Sequence, residues 1–245
     1  MARLLFEKVT VQYPVYDQRA ASLRRELLRL STGGRFEQDA GGVQVVTALR
    51  DASFVLEHGD AVGLIGHNGA GKSTLLRTMA GVYRPVSGRV VSEGRIATVL
   101  ELGAGMDREL SGYENIYRMG LLLGLSRAEI GAGMDDIENF TQLGHFLDLP
   151  VRTYSAGMMT RLMFAVATAS RPDILLLDEV FGAGDAEFQV RAAQRMEELI
   201  ATVGIFVFAS HDVGAVRRYC RRFLRLEHGQ LCEVGADALE GPSTR

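Results

Sequence analysis

The stretch GHNGAGKST, Gly66 to Thr74, decides how the rest of this 245-residue chain is read. It follows the apolar run AVGLI, which has the composition of a strand, and it opens a helical run from Lys72 to Ala80. A glycine-rich turn between strand and helix lets backbone N–H groups converge on phosphate oxygens, and the helix N-terminus adds partial positive charge. In that setting Gly66, Asn68, Gly69, Ala70, Gly71 and Thr74 form a phosphate cradle. Lys72 reaches the β- and γ-phosphates of a nucleoside triphosphate, and the Ser73 hydroxyl is placed for Mg²⁺.

A second stretch, ILLLDE, completes the chemistry. Four apolar residues suit a strand buried on both faces, and Asp178 at its carboxyl end can hold the metal. Glu179, one residue on, can polarise an attacking water as general base. An acidic pair at a strand end is common alone, but behind a phosphate-binding loop it reads as catalytic.

Around these motifs the pattern alternates between strands and helices. LLFEKVTVQY, VQVVTALRDASFVLEHGD and VGIFVFASHD read as strands, and GRVVSEGRIATVLEL as a strand pair. RLMFAVATAS reads as a buried helix and QVRAAQRMEELIA as an amphipathic one. From Ser111 the character turns helical, and Ser111 with Glu114 and Ser126 with Glu129 have capping-box spacing. The expectation is one α/β domain over 1–245 with a mostly parallel sheet, an antiparallel β edge and an inserted helical lobe at about 101–156. The core then takes 1–100 and 157–245. An insertion at about 14–42 carries Leu23, Leu27, Leu28 and Leu30 among arginines, with helical spacing. It reads either as a solvated surface helix or as a basic amphipathic docking element for a membrane surface or partner helix.

Composition narrows the classes. Hydrophobic residues make up 47% and the net charge is -3, so no whole-chain field argues for nucleic acid. The arginine-rich VRRYCRRFLRLEHG is read as the solvated face of a helix and strand, with Tyr219 and Phe223 packing inward, rather than as a nucleic-acid patch. Two cysteines, Cys220 and Cys232, cannot make a disulfide framework, which fits a reducing compartment. No apolar run approaches the roughly 20 residues of a membrane span. A cytoplasmic protein is expected, reaching the inner face of a membrane through a partner.

YSAGM, Tyr154 to Met158, starts another helix just upstream of PDILLLDE. The cradle, this turn, the LLLDE strand and a downstream SHD, in that order over nearly the whole chain, resemble an ATP-binding cassette (ABC) ATPase. The resemblance implies ATP and Mg²⁺ as ligands. It implies that Ser155, Ala156, Gly157 and Met158 form the signature turn that touches ATP bound to a second copy of the chain, with Tyr154, Ala156 and Met158 departing from the common LSGGQ pattern. Asp185 in GAGD matches the loop contacting that copy, and His211 matches the switch histidine that holds the γ-phosphate and its water. Tyr13 falls where the family places an aromatic that stacks on adenine, and Tyr16 competes for that role.

VLELGAGMDRELSGYENIY, FLDLPVRTYSAGM and DEVFGAGDAEFQ look like the ATPase subunits of polysaccharide exporters, which handle O-antigen, capsular polysaccharide or teichoic acid. That implies an integral membrane permease as partner, a head-to-tail homodimer, and a lipid-linked polysaccharide as cargo. An exporter of lipid or drug, or a non-transport ABC ATPase, is the alternative. Where the family commonly has a glutamine, the nearest residue here is Glu101. Either Glu101 swings in with metal, or it faces the membrane partner and the backbone of Leu102 and Gly103 takes over.

Overall fold

The computed structural model describes residues 1–14, 36–38, 44–99, 105–178 and 186–239. The helix expected within the basic insertion lies outside the described residues, as do Tyr16, Glu101, Leu102, Gly103, Glu179 and Asp185. Two compact units divide the chain, Met1–Gly94 with Gly204–Arg245, and Arg95–Val203.

In chain order the first unit carries β1 (Arg3–Pro14), β2 (Phe36–Gln38), β3 (Gln44–Glu57), β4 (Ala61–Ile65), α1 (Lys72–Met79) and β5 (Ser87–Glu93). The second carries β6 (Ile96–Val99), α2 (Gly112–Leu122), α3 (Arg127–Ala132), α4 (Met134–Thr141), α5 (Ala156–Thr168), β7 (Ile174–Asp178) and α6 (Ala186–Thr202). The chain re-enters the first unit with β8 (Ile205–Ala209), α7 (Val213–Tyr219), β9 (Arg222–Glu227) and β10 (Gln230–Val234).

In the first unit an antiparallel sheet runs in the order β2-β3-β1-β5. Along β1 the buried side chains are Leu4 and Phe6, then Val9 and Val11, so the inward alternation slips by one residue. Lys8, with φ 47°, absorbs the slip, and the pairing with β3 jumps from Phe6↔Phe54 to Val9↔Ala52. Such a bulge keeps both halves of the strand facing the core. Phe6 stacks on Phe54 across the pair at 4.5 Å.

The same unit holds β4 in parallel register with both β8 and β9, Leu64 lying opposite Ala209 on one side and Leu224 on the other. A strand flanked in this way is buried on both faces, and Val62, Leu64 and Ile65 are buried accordingly. β9 returns as β10 through His228 and Gly229, whose φ values of 48° and 81° make the tight turn of a two-residue hairpin. The arginine-rich stretch is largely engaged within the fold. Arg222 pairs with Asp60 at 2.6 Å and Glu233 at 3.0 Å, while Arg217 and Arg225 donate to the carbonyls of Ala236 and Ala238. Phe223 is buried and Tyr219 meets Phe208 edge-on, so both pack inward as the sequence suggests.

One expectation is corrected. GRVVSEGRIATVLEL does form two strands, but they are not partners of each other: β5 pairs antiparallel with β1, and β6 pairs parallel with β7. The split follows composition. β5 carries Ser87, Arg89, Ser92 and Glu93, all exposed, and suits a sheet edge, while Ala97 in β6 is buried.

The second unit gathers Ile116, Met119, Ile130, Ile137, Leu147 and Val166 into one apolar cluster. Both anticipated capping boxes are present, Ser111 with Glu114 on α2 and Ser126 with Glu129 on α3. Buried Asn115 ties the segment entering the lobe, donating to the carbonyls of Asp107, Leu110 and Ser111 and accepting from the Asp107 N–H at 2.8 Å. Tyr154 is buried against Gly112, and its hydroxyl donates to the Phe146 carbonyl at 2.6 Å.

Glu129 is held at a pKa of about 2, chiefly by the Ser126 backbone N–H and side chain and then by Arg95. A depressed carboxylate stabilises the fold above its unfolded value of 4.5, and that contribution is lost as pH falls toward 2. Glu129→Gln is therefore expected to be less stable than the parent chain at neutral pH and to converge with it in urea titrations near pH 2. Burial pushes Tyr154 up to about 12. Its neutral form stabilises the fold, so this contribution falls as pH rises from 10 to 12. Tyr154→Phe should cost about 1 kcal/mol at neutral pH. It should also remove that share of the alkaline loss, read by the same denaturation series.

Candidate functional site

In the first unit, strand pairing brings the glycine-rich turn Gly66–Thr74 and the segment Ser210–Asp212 to one sheet edge. Gly66 follows the end of β4, and Ser210 follows the end of β8, its parallel neighbour. His211 is thus delivered at the same carboxyl edge as Gly66–Thr74, where open α/β sheets bind their ligands. His211 is exposed. Asp212 fixes the turn that carries it, its carboxylate accepting from the N–H groups of Gly214 at 2.8 Å and Ala215 at 3.2 Å. The Ser210 hydroxyl accepts from the Asp212 N–H at 3.0 Å.

The cradle requires glycine for steric reasons. A Cβ on Gly66 would lie 2.4 Å from the Leu226 carbonyl oxygen. Gly71, with φ 113°, caps α1, and a Cβ there would approach the Ala48 carbonyl oxygen to 2.7 Å. No side chain caps the N-terminus of α1 and no acidic residue stands in its first turn. The helix itself thus supplies no anion to its positive dipole end. A Cβ on Gly69 would meet nothing within 4 Å, which leaves room over the loop. Lys72 is buried, and its ammonium donates to the carbonyls of Gly66 at 2.6 Å and His67 at 3.4 Å. Ser73 and Thr74 follow in the first turn of α1.

Tyr13 lies near the end of β1, and its hydroxyl donates to Thr74 Oγ1 at 3.2 Å. The ring predicted to stack on a base is thereby bonded to the last residue of the phosphate cradle, a link that spacing alone does not reveal. Burial, partly offset by the bond to Thr74, raises the Tyr13 phenol above its ordinary value, so it is neutral at physiological pH.

In the second unit, Asp178 ends β7, whose preceding residues Ile174 to Leu177 are all buried. The strand pins the carboxylate at its polar end, as ILLLDE implies. Ser155 caps α5, with its Oγ accepting from the Met158 N–H at 3.2 Å, and Ala156, Gly157 and Met158 make the first turn. That turn too carries no acidic residue. A Cβ on Gly157 would meet only Ser155 Oγ, at 3.9 Å, so neither backbone strain nor packing accounts for glycine there. Tyr154, a departure from the family pattern, is the buried residue that anchors this turn to the Phe146 carbonyl.

Ser73 and Asp178 offer one hydroxyl and one carboxylate, hard oxygen donors that suit Mg²⁺. No group of three or more His, Cys, Asp or Glu side chains forms a metal cage among the described residues. Mg²⁺ takes one or two protein oxygens and completes its shell with phosphate and water, so each of these residues, taken by itself, is a donor of the right kind.

Residues 49–182 match the family described as ABC transporter. The chain is 59% identical over 239 residues to the O-antigen export system ATP-binding protein RfbE of Yersinia enterocolitica, covering 98% of this chain and all of that one. It is 39% identical to the O-antigen export system ATP-binding protein RfbB of Klebsiella pneumoniae, covering 94% of this chain and 92% of that one. In fold it is similar to an ATP-binding cassette solved as a dimer in a post-hydrolysis state with ADP and phosphate. The TM-score is 0.69 at 19% identity, over 95% of this chain and 98% of that one. With a glycine-rich turn between β4 and α1 and this relatedness along its length, the chain belongs to the ABC transporter family as an ATP-binding and ATP-hydrolysing cassette.

Proposed function

We propose that this chain drives export of an O-antigen-type, lipid-linked polysaccharide across the cytoplasmic membrane, from the cytoplasmic side and through a membrane permease. The cargo class is supported by the 59% identity to an O-antigen export ATP-binding protein over 98% of this chain and all of that one. No described helix is long and apolar enough to cross a membrane, which is consistent with a separate permease.

The observation that carries the catalytic reading is the parallel pairing of β4 with β8, which delivers the cradle and His211 to one sheet edge. In that reading the N–H groups of Gly69 to Lys72 and the Lys72 ammonium hold the phosphates. His211 orients the attacking water, and Glu179 takes its proton. Mg²⁺, held by Ser73 and Asp178, would neutralise charge on the β- and γ-phosphates. Glu101, in place of the usual glutamine, is read as facing the permease. Two copies of the chain close head to tail, and Ser155 with Gly157 reaches the nucleotide of the partner copy. Asp185 lines that contact. The bare first turn of α5 and the unfilled space at Gly157 support this, because both leave room for an anion from outside the chain.

Lys72→Ala is expected to lower ATP hydrolysis by at least about 100-fold, a loss of the size seen when a group stabilising transition-state charge is removed. Glu179→Gln should retain ATP binding and accumulate ATP-bound dimers, visible by native mass spectrometry. Normal hydrolysis by a monomeric Glu179→Gln chain would reject the assignment. Gly157→Val should cut hydrolysis while leaving the melting temperature of the isolated chain within a few degrees, since the side chain has space. In cells, deletion of the gene should leave lipid-linked polymer on the cytoplasmic side and strip it from the surface, and the Lys72→Ala chain should fail to restore export. Unchanged surface polysaccharide would overturn the cargo reading.

A further inference from the structure

Around the Tyr13 ring the structure has built more than the hydroxyl bond to Thr74. Tyr83 lies in the loop after α1, and its ring meets that of Tyr13 at 5.4 Å with an interplanar angle of 79°. An edge-to-face contact of this kind is favourable, because the positive edge of one ring meets the negative face of the other. It also leaves Tyr13 at least one face that Tyr83 does not cover.

Tyr83 is itself braced from α1. The Val82 and Tyr83 N–H groups donate to the Arg77 carbonyl at 2.9 Å and 3.3 Å, folding the loop back onto the last turn of the helix. The Arg77 guanidinium carbon stands 5.9 Å from the centre of the Tyr83 ring, a cation–π distance. The result is a chain of contacts that starts and ends on α1: from Thr74 to the Tyr13 hydroxyl, from the Tyr13 ring to Tyr83, and from Tyr83 to Arg77. Thr74 closes the phosphate cradle and Arg77 follows it by one helical turn, so one helix sets both the phosphate position and the ring position. The Thr78 hydroxyl, donating to the Thr74 carbonyl at 2.7 Å, adds rigidity on the same turn.

We propose that Tyr83, braced by Arg77, is a positioning residue for nucleotide binding: it fixes the plane of the Tyr13 ring at a set distance from the phosphate cradle, so that base and triphosphate are engaged together. Without this contact the Tyr13 ring keeps its hydroxyl tether but is free to rotate about it. A tether at one atom fixes position, whereas an edge contact fixes the plane. Stacking requires the plane.

The inference rests on the base-stacking reading of Tyr13, and the test separates the two. ATP hydrolysis by the purified full-length chain is measured for Tyr13→Ala, Tyr83→Ala, Tyr83→Phe and the double alanine variant. Inorganic tripolyphosphate, which has no base, serves as a competitive inhibitor that reports on the cradle alone. Tyr83→Ala is expected to raise KM for ATP about 3- to 10-fold, the range of one aromatic contact, with kcat retained. The inhibition constant of tripolyphosphate should not change. Tyr83→Phe should lie closer to the parent than to Tyr83→Ala, because it keeps the ring contact and loses only the hydroxyl, which also acts on Tyr13. The double variant should be no worse than Tyr13→Ala alone.

If Tyr13→Ala raises KM and Tyr83→Ala does not, the positioning role is overturned while base stacking by Tyr13 stands. If Tyr13→Ala leaves KM unchanged, the base-stacking reading itself fails, and the positioning role falls with it. Equal weakening of ATP and tripolyphosphate by Tyr83→Ala would mean a damaged cradle, and would also overturn the proposal.

Discussion

The parallel pairing of β4 with both β8 and β9 is the constraint from which the rest of the first unit follows. Parallel strands cannot be joined by a tight turn, so each must be reached by a crossover that brings helix and loop to the sheet. All carboxyl ends then point one way. The loops leaving β4 and β8 have to emerge side by side, and Gly66–Thr74 and Ser210–Asp212 are those loops. An antiparallel neighbour would have sent His211 to the opposite edge. The active edge is thus a consequence of strand direction before it is a consequence of any catalytic residue.

Close backbone approach then sets which residues the loop can contain. Gly66 passes the Leu226 carbonyl and Gly71 the Ala48 carbonyl at distances that admit no side chain. These contacts come from β9 and β3, so the cradle is shaped by two different sheets as well as by its own sequence. The same logic runs in reverse at Gly157, where nothing in the chain itself demands glycine. Its place in the first turn of α5 leaves the backbone there open on one side.

Much of this was legible in the sequence because the signals are local. The glycine-rich turn between β4 and α1, the buried strand before Asp178, and both capping boxes depend on residues within a few positions of one another, and each stands where the spacing places it. What was not legible depends on how the chain folds back on itself. The separate destinations of β5 and β6 follow from which sheet each joins, and the run GRVVSEGRIATVLEL carries no mark of that choice beyond its polar first half. The bond from Tyr13 to Thr74 spans 61 positions, and the anchoring of Tyr154 to Phe146 requires the lobe to be folded. Tyr154 looks like a defect when compared with a motif and like a structural pin when its surroundings are seen.

Lys72 is bonded to the carbonyls of Gly66 and His67, so its ammonium ties the start of the loop to its end. A buried ammonium needs such partners, because its charge has been taken out of water. One group therefore both closes the loop and sets the sign of its charge. A substitution that removes the charge also removes the tie. Shape and charge cannot be altered separately at this position.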